Sequence, residues 1–214
     1  MLTMLLFLFA ASAAVASVDT TCGLNVLGSL DNTKVNKAAY ALVYVLSCTL
    51  GGAMTGLVIG GVNYLLSLTP LGPLYNAIIV ILFAVFILLE LFNKSGLLPS
   101  GNFIVPSEWI RQAGYRSAAL WGHILGMGFI TLQAGVLFHA YMLLSIFAPV
   151  WWLSLLAGIC FGFIRGTVFS LPLIRSVVHM LLEKRWLKRT LLSAVRLVAS
   201  YVLLTGSILW ILLS

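Results

Sequence analysis

The chain has 214 residues, of which 62% are hydrophobic and only 8% are charged, and its mean hydropathy is +1.12. A soluble domain carries about 25% charged residues, so this composition excludes a water-soluble globule and predicts an integral membrane protein. The net charge of +7 does not indicate a nucleic-acid partner, because no soluble basic fold is present to hold one.

Long apolar runs between charges predict the membrane spans. A transmembrane helix needs ~20 mostly apolar residues, and strings such as AIIVILFAVFILLELF lack the alternation of a barrel strand. The predicted fold class is all-α, a polytopic membrane helix bundle in a single domain over 1–214, with halves at 38–93 and 115–213. About six spans are expected, near 2–18, 38–69, 74–93, 117–147, 150–174 and 191–213.

The first predicted span has a second interpretation. Residues 1–18 resemble a signal peptide, with an apolar core followed by small residues. The positively charged start of a signal peptide is missing, which favours a retained N-terminal helix. Cleavage would reverse the sidedness of the residues that follow.

Two predicted spans are longer than a bilayer requires. Residues 38–69 would extend ~48 Å as one helix, against a hydrocarbon core of ~30 Å. A tilted helix, a helix broken at Gly51 and Gly52, and a tight hairpin all remain open. The glycine-containing span at 117–147 raises the same question.

The basic residues predict the orientation in the membrane. If every span crosses once, all basic connections fall on one side, and the positive-inside rule makes that side cytoplasmic. Both termini then face outward, and the expected location is a bacterial inner (plasma) membrane. The basic residues between or at the ends of the spans are Lys34, Lys37, Lys94, Arg111, Arg116, Arg175, Lys184, Arg185, Lys188, Arg189 and Arg196.

Two glycine triplets share one spacing. Residues four apart lie on one helix face, and small residues let membrane helices pack closely, so each triplet predicts a helix–helix seam. A bendable wall beside a substrate path is the functional alternative. The triplets lie 106 residues apart and suggest an internal repeat, which in transporters is often inverted. They are Gly52, Gly56 and Gly60, then Gly158, Gly162 and Gly166.

Polar groups inside predicted spans are candidate pathway residues. A central arginine costs ~2.5–3.5 kcal/mol on insertion scales, so Arg165 either extends to the headgroups or faces a pathway or an anion. Glu90 either pairs locally with Lys94 or meets Arg165 across the bundle. Gln133 and His139 complete the candidates.

Neither a catalytic constellation nor a metal site is predicted. His123 and His139 would lie ~24 Å apart on a straight helix, too far for one metal, and no cofactor can be named. Three cysteines are present, of which Cys48 and Cys160 could meet in the bundle as a redox pair. Buried cysteine is also a common apolar filler, and Cys22 is placed in a cytoplasmic connection.

Two segments, RQAGYRSAALWGHILGMGFITLQAG and LLAGICFGFIRG, resemble the second half of bacterial membrane proteins related to the CcdA/DsbD transmembrane domain of cytochrome c biogenesis. CTLGGAMTGLVIGG would be the first-half counterpart, and the resemblance covers residues 38–190 loosely. It implies two inverted three-helix repeats of the LysE-like kind and, in redox members, one cysteine on each of two symmetric helices. Here the 106-residue offset pairs Cys160 with Met54 and Cys48 with Ser154, so that pair is missing.

Three functions follow as hypotheses. The first is a small solute or ion transporter, or the membrane subunit of a larger complex. The second is a transmembrane thiol–disulfide electron conduit that uses Cys48 and Cys160, and the third is a scaffold for partner helices. The expected partners are the lipid bilayer and either another protein or further copies of the chain. The basic stretches with tryptophan at 105–116 and 179–190 are candidate docking surfaces.

Overall fold

The computed structural model describes residues 2–17, 33–70, 72–99, 101, 114–130, 135–171 and 187–213, with side chains in the last range from residue 194. The described regular structure is helical, without a strand. Its α-helices are α1 (Leu2–Ala16), α2 (Lys37–Ser67), α3 (Tyr75–Leu91), α4 (Tyr115–Met127), α5 (Gly135–Ile146), α6 (Trp151–Ser170) and α7 (Leu187–Leu213). Short 3-10 turns at Gly72–Leu74 and Ser95–Leu97 flank α3.

Among the described residues, four helical stretches are long and apolar enough to cross a membrane. They are α2, Gly72–Leu91 including α3, α6, and Ala194–Leu213 within α7. The helices α1 and α5 are apolar but shorter. The predicted all-α helical bundle is confirmed at this level, whereas the count of six crossings stays a prediction.

The predicted span at 38–69 is one continuous helix of 31 residues. It begins where the Asn36 side chain accepts hydrogen bonds from the backbone N–H groups of Ala38 and Ala39, at 2.9 and 3.3 Å, which satisfies two of the orphan donors of a helix start. Gly51 and Gly52 lie inside the helix without breaking it. The broken helix and the hairpin are therefore excluded, and the tilt of the continuous helix in a membrane stays a prediction.

The predicted span at 117–147 is two helices, which is one of the alternatives that the sequence leaves open. Helix α4 ends at Met127 and α5 begins at Gly135. Gly128 has φ +66° and Gly135 has φ +47°, a region that residues with a Cβ avoid. A Cβ on Gly128 would also overlap the Phe138 ring. The two glycines end one helix and start the next.

The directions of the helices follow from which residues meet. Gly122 of α4 lies against Tyr44 and Gly126 lies against Cys48, and this constant offset makes α4 parallel to the first half of α2. Asn63 near the end of α2 bonds to the Ile146 carbonyl at the end of α5. The pair α4–α5 thus follows α2 along most of its length.

Helix α6 runs antiparallel to α2 along a seam of glycine. All six triplet glycines lie on this contact, with Gly52 against Gly158 and Gly162, and Gly166 against Val45. A Cβ on Gly60 would lie 2.8 Å from the Trp151 carbonyl oxygen. The backbones are therefore as close as two helices can come, which increases dispersion contacts in lipid.

The remaining helices surround this pair. Helix α1 packs on α5 and α6, and α3 packs on α7. Phe9 of α1 meets Phe83 of α3 with ring centroids 5.4 Å apart. Tyr141 of α5 stacks on Phe161 of α6 at 5.5 Å and an interplanar angle of 7°. These buried aromatic contacts bring α1, α3, α5 and α6 to one apolar core.

Candidate functional site

The end of α4 lies against two neighbouring helices that supply hydrogen-bond donors. In lipid, the last carbonyl groups of a helix must find partners within the protein. Nη1 of Arg165 on α6 donates to the Leu125 carbonyl at 2.6 Å. Oγ1 of Thr55 on α2 donates to the Met127 carbonyl at 2.8 Å. Side chains of α2 and α6 therefore stabilise a helix that ends inside the bundle.

The end of α5 is closed in the same way. Nδ2 of Asn63 donates to the carbonyls of Ile146 and Ala148, both at 2.8 Å. Oγ of Ser154 on α6 donates to the Ser145 carbonyl at 2.7 Å. Asn63 thus joins neighbouring helices, as polar groups in membrane spans usually do.

A cavity of about 40 Å³ lies at the break between α4 and α5. Gly128 and the first turn of α5, residues 135–138, form one wall, and the end of α1 with Ser95 and Ser200 forms others. The charged side chains among its described lining are Glu90, Arg165 and Arg196. A water needs ~10–15 Å³ measured in this way, so the cavity holds a few water-sized groups.

Arg165 is turned into the bundle. Its side chain is 2% exposed, and Cζ lies 5.6 Å from the centroid of the Phe161 ring, within cation–π range. Nη1 is bonded to α4, whereas the buried Nε has no hydrogen-bond partner in the described part of the chain. The side chain is therefore packed inside the bundle and does not extend from its surface. It binds the negative end of α4 and has one donor without a described acceptor.

Glu90 faces the cavity and not the membrane edge. Its side chain is 7% exposed, and Oε2 has no hydrogen-bond partner among the described residues. The charge of Arg196 on α7 acts on it, whereas Lys94 is exposed. Neither Lys94 nor Arg165 forms a described ion pair with Glu90. The structure thus brings Glu90 and Arg165 to one cavity without the direct pairing that one hypothesis expected.

Arg196 is the site residue that the sequence does not single out. It lies inside the predicted span 191–213, where an isolated arginine is as costly as Arg165. Its position inside a span is the sequence signal for a buried charge, but Arg196 also fits the pattern of basic residues near the ends of spans. Only the packing of α7 on α3 places it beside Glu90.

The other two pathway candidates have different outcomes. His139 lies outside the charged cavity, with Nδ1 2.8 Å from the Gly135 carbonyl and Nε2 2.8 Å from the Pro99 carbonyl. It lines a separate apolar groove of about 440 Å³, together with Thr55 and Met142. Gln133 lies outside the described residues, as does Cys22.

The two redox candidates lie on different helix faces. Both Cys48 and Cys160 are free thiols, the first fully buried and the second half-buried. Gly162 faces the backbone of Cys48, and a residue two positions away points to the opposite side of a helix. Tyr141 of α5 stacks on Phe161, the residue that follows Cys160.

A second glycine contact accompanies the first. Gly51 of α2 lies against His123 and Gly126, and Gly122 and Gly126 of α4 lie against residues 44–48. Gly122 and Gly126 have the same four-residue spacing as the triplets, so the sequence contains the pattern that predicts this second close contact. Helix α2 is therefore packed closely between α4 and α6.

No known protein family, curated protein or solved structure matches this chain. Among the described residues, no group of three His, Cys, Asp or Glu side chains could hold a metal ion. Function is therefore inferred from the geometry and charge of the site, since a fold alone does not specify a function.

Proposed function

We propose that this protein is an integral membrane transporter of a small ion, which binds at the break between α4 and α5. The observation that carries the proposal is the position of Glu90, Arg165 and Arg196 around an interrupted helix. Intramembrane charges mark ion pathways, and secondary transporters place their sites at discontinuous helices. The volume of about 40 Å³ favours an ion over a larger solute.

The proposal includes six crossings, with α4 and α5 together forming one of them. The two helices have 13 and 12 residues, so each alone extends only ~20 Å. Together they follow α2 from Tyr44 to Asn63. This arrangement supports a discontinuous crossing beside α1, α2, α3, α6 and α7.

An inverted repeat is supported by the pattern of helix packing. The proposed units are α1–α2–α3 and α4/α5–α6–α7. The antiparallel α2 and α6 pack on each other, as do α3 and α7. Helix α1 of the first unit packs on α6 of the second, and α4 and α5 of the second unit pack on α2 of the first. A two-fold axis that relates the two units would produce this pair of contacts. The charged cavity then lies between the units, where inverted-repeat transporters bind their substrates.

We place the protein in a bacterial plasma membrane with its basic connections in the cytoplasm. Lys37 starts α2 and Arg116 lies in the first turn of the parallel helix α4, so both are on one side. The positive-inside rule assigns that side to the cytoplasm. The thiol–disulfide alternative has less support, because Cys48 and Cys160 face different helices.

The test is ion flux in liposomes that contain the purified protein. Sodium, potassium, chloride and nitrate are supplied one at a time, and flux is followed with ion-selective electrodes. We expect flux of at least one ion, and we expect Arg165→Lys to reduce it tenfold or more. Lysine keeps the charge but not the planar set of donors that bonds Leu125 and faces the cavity.

Arg116→Lys is the matched control, because Arg116 is exposed at the start of α4, and it should keep the wild-type flux. A folded, monodisperse wild-type protein that moves none of these ions would overturn the proposal. Co-purification of a stoichiometric partner from native membranes would then favour a subunit of a larger complex.

A further inference from the structure

We propose that the cavity at the break selects a small inorganic anion of halide size, held by Arg165, Arg196 and the first turn of α5. The inference rests on the proposed function, because it names the ion class of the same site. Three independent features of the cavity support it: its charge, its unused donors and its size.

The charge of the lining favours an anion. Two arginines and one glutamate are the charged side chains among the described residues that line the cavity, which leaves one net positive charge. Arg165 is 2% exposed, so its charge is little screened by solvent. A cation at Glu90 would be repelled by the two guanidinium groups. A small anion would be attracted by them and repelled only by Glu90.

A buried donor without a described acceptor belongs to Arg165, whose side chain lines the cavity. A guanidinium group has five N–H donors and no acceptor, and of those on Arg165 the buried Nε has no described partner. Since Nη1 is held by Leu125 at 2.6 Å, the group is fixed in position. A bound anion would accept a charge-assisted hydrogen bond from this preorganised donor.

The first turn of α5 adds backbone donors. Residues 135–138 line the cavity, and the first N–H groups of a helix have no intrahelical acceptor. The positive end of the helix dipole also favours negative charge there. None of the described atoms lies within 4 Å of the place where a Cβ on Gly135 would stand, so among the described residues nothing blocks the approach of an anion to this backbone.

The size of the cavity limits the anion. About 40 Å³ accommodates a few water-sized groups, which is enough for a halide with part of its hydration. A large organic anion does not fit, and Glu90 opposes a multivalent one. Chloride and bromide are therefore the probes to use first.

The first experiment measures binding to the purified full-length protein in detergent. Sodium chloride or bromide is titrated at constant ionic strength against sodium gluconate, and the thermal unfolding midpoint reports binding, since a ligand of the folded state raises it. We expect a saturable rise for the wild type. Arg196→Gln should weaken the apparent affinity roughly tenfold, the effect of one charged hydrogen bond.

Glu90→Gln gives the sharpest discrimination, because it removes the one negative charge of the described lining. The anion affinity should rise severalfold, whereas a cation site would be abolished by the same change. Lys94→Gln is the matched control, since Lys94 is an exposed charge four residues along the chain, and it should leave the affinity unchanged. These variants leave the bond from Arg165 to α4 intact, so their folding is not at risk from its loss.

The outcomes separate this inference from the proposed function. A wild-type midpoint that does not depend on chloride or bromide, or anion binding that Glu90→Gln weakens, would overturn the anion site. Flux of sodium or potassium without any anion effect would also overturn it and leave transport standing. Saturable anion binding without flux of any ion would support the anion site and overturn transport.

Discussion

Glycine has different uses in two regions of this molecule. In the seam between α2 and α6, the glycines have regular helical backbones and remove side chains so that the helices touch. At the break between α4 and α5, Gly128 and Gly135 adopt positive φ angles that end one helix and begin another. The seam uses the small size of the residue, and the break uses its conformational freedom.

The two regions also differ in polarity. The triplet glycines place bare backbone against backbone, whereas the break has three charged side chains around it. The regions are connected, because α2 and α6 supply the donors Thr55 and Arg165 that satisfy the end of α4. A rigid seam thus positions the groups that make an interrupted helix possible in lipid.

The largest expected effect comes from overpacking the seam. Gly56→Ala on α2 would place a Cβ against the Ser154 carbonyl and 2.9 Å from Leu155 Cα. Because backbone atoms cannot move aside cheaply, we expect a loss of ~1–3 kcal/mol in the free energy of unfolding. Denaturation in mixed micelles measures it. Gly61→Ala on the same helix, where none of the described atoms lies within 4 Å, should be close to neutral. Equal losses for the two variants would show that the seam does not depend on glycine.

Substitutions at the break distinguish strain from overlap. Gly128→Ala would combine a φ of +66° with overlap on the Phe138 ring, whereas Gly135→Ala would suffer only its φ of +47°. The left-handed conformation costs a residue with a Cβ ~1–2 kcal/mol. Gly135→Ala should lose about that much free energy of unfolding, and Gly128→Ala should lose more. The reverse order in the same denaturation assay would show that the break does not have this geometry.

Removing the donors that close the half-helices should have a smaller effect. Thr55→Val keeps the shape of the side chain but removes the bond to the Met127 carbonyl. Interhelical hydrogen bonds in membranes contribute ~0.6 kcal/mol on average and up to ~1.7, and the unfolding free energy should fall by this amount. The control is Thr205→Val, because that hydroxyl bonds within its own exposed helix. If the control costs as much as Thr55→Val, the bond across the helices contributes nothing.

The smallest effect is expected at the cysteines. Because the two thiols lie on different faces and neither lines the charged cavity, Cys48→Ala with Cys160→Ala should keep the wild-type ion flux in liposomes. The outcome to watch for is loss of flux in a double variant that still folds. It would favour the thiol–disulfide hypothesis over ion transport and would show that the difference between seam and break does not decide the function.

A large part of the fold could be predicted because membrane helices are recognisable from short stretches of sequence. The apolar runs predict α2, α3, α6 and α7, and the four-residue spacing of glycine indicates which faces pack closely. Arg165 and Glu90 could be selected without a structure, since a charge in lipid needs a reason to be there. His139 could be selected for the same reason, but its ring nitrogens lie within hydrogen-bond distance of backbone carbonyls and not at the charged cavity. A polar residue in a span predicts that a partner exists and does not identify that partner.

The sequence by itself determined that the chain is helical, apolar enough for a membrane, and equipped with closely packing glycine faces and buried charges. Only the tertiary structure decided that 38–69 is one helix while 117–147 is two, since both runs contain glycine. Glycine permits a break without requiring it; the break forms where Thr55 and Arg165 from other helices satisfy the freed carbonyls. The same packing places Arg196 and Glu90 in the lining of one cavity, although they are 106 residues apart and no local pattern connects them.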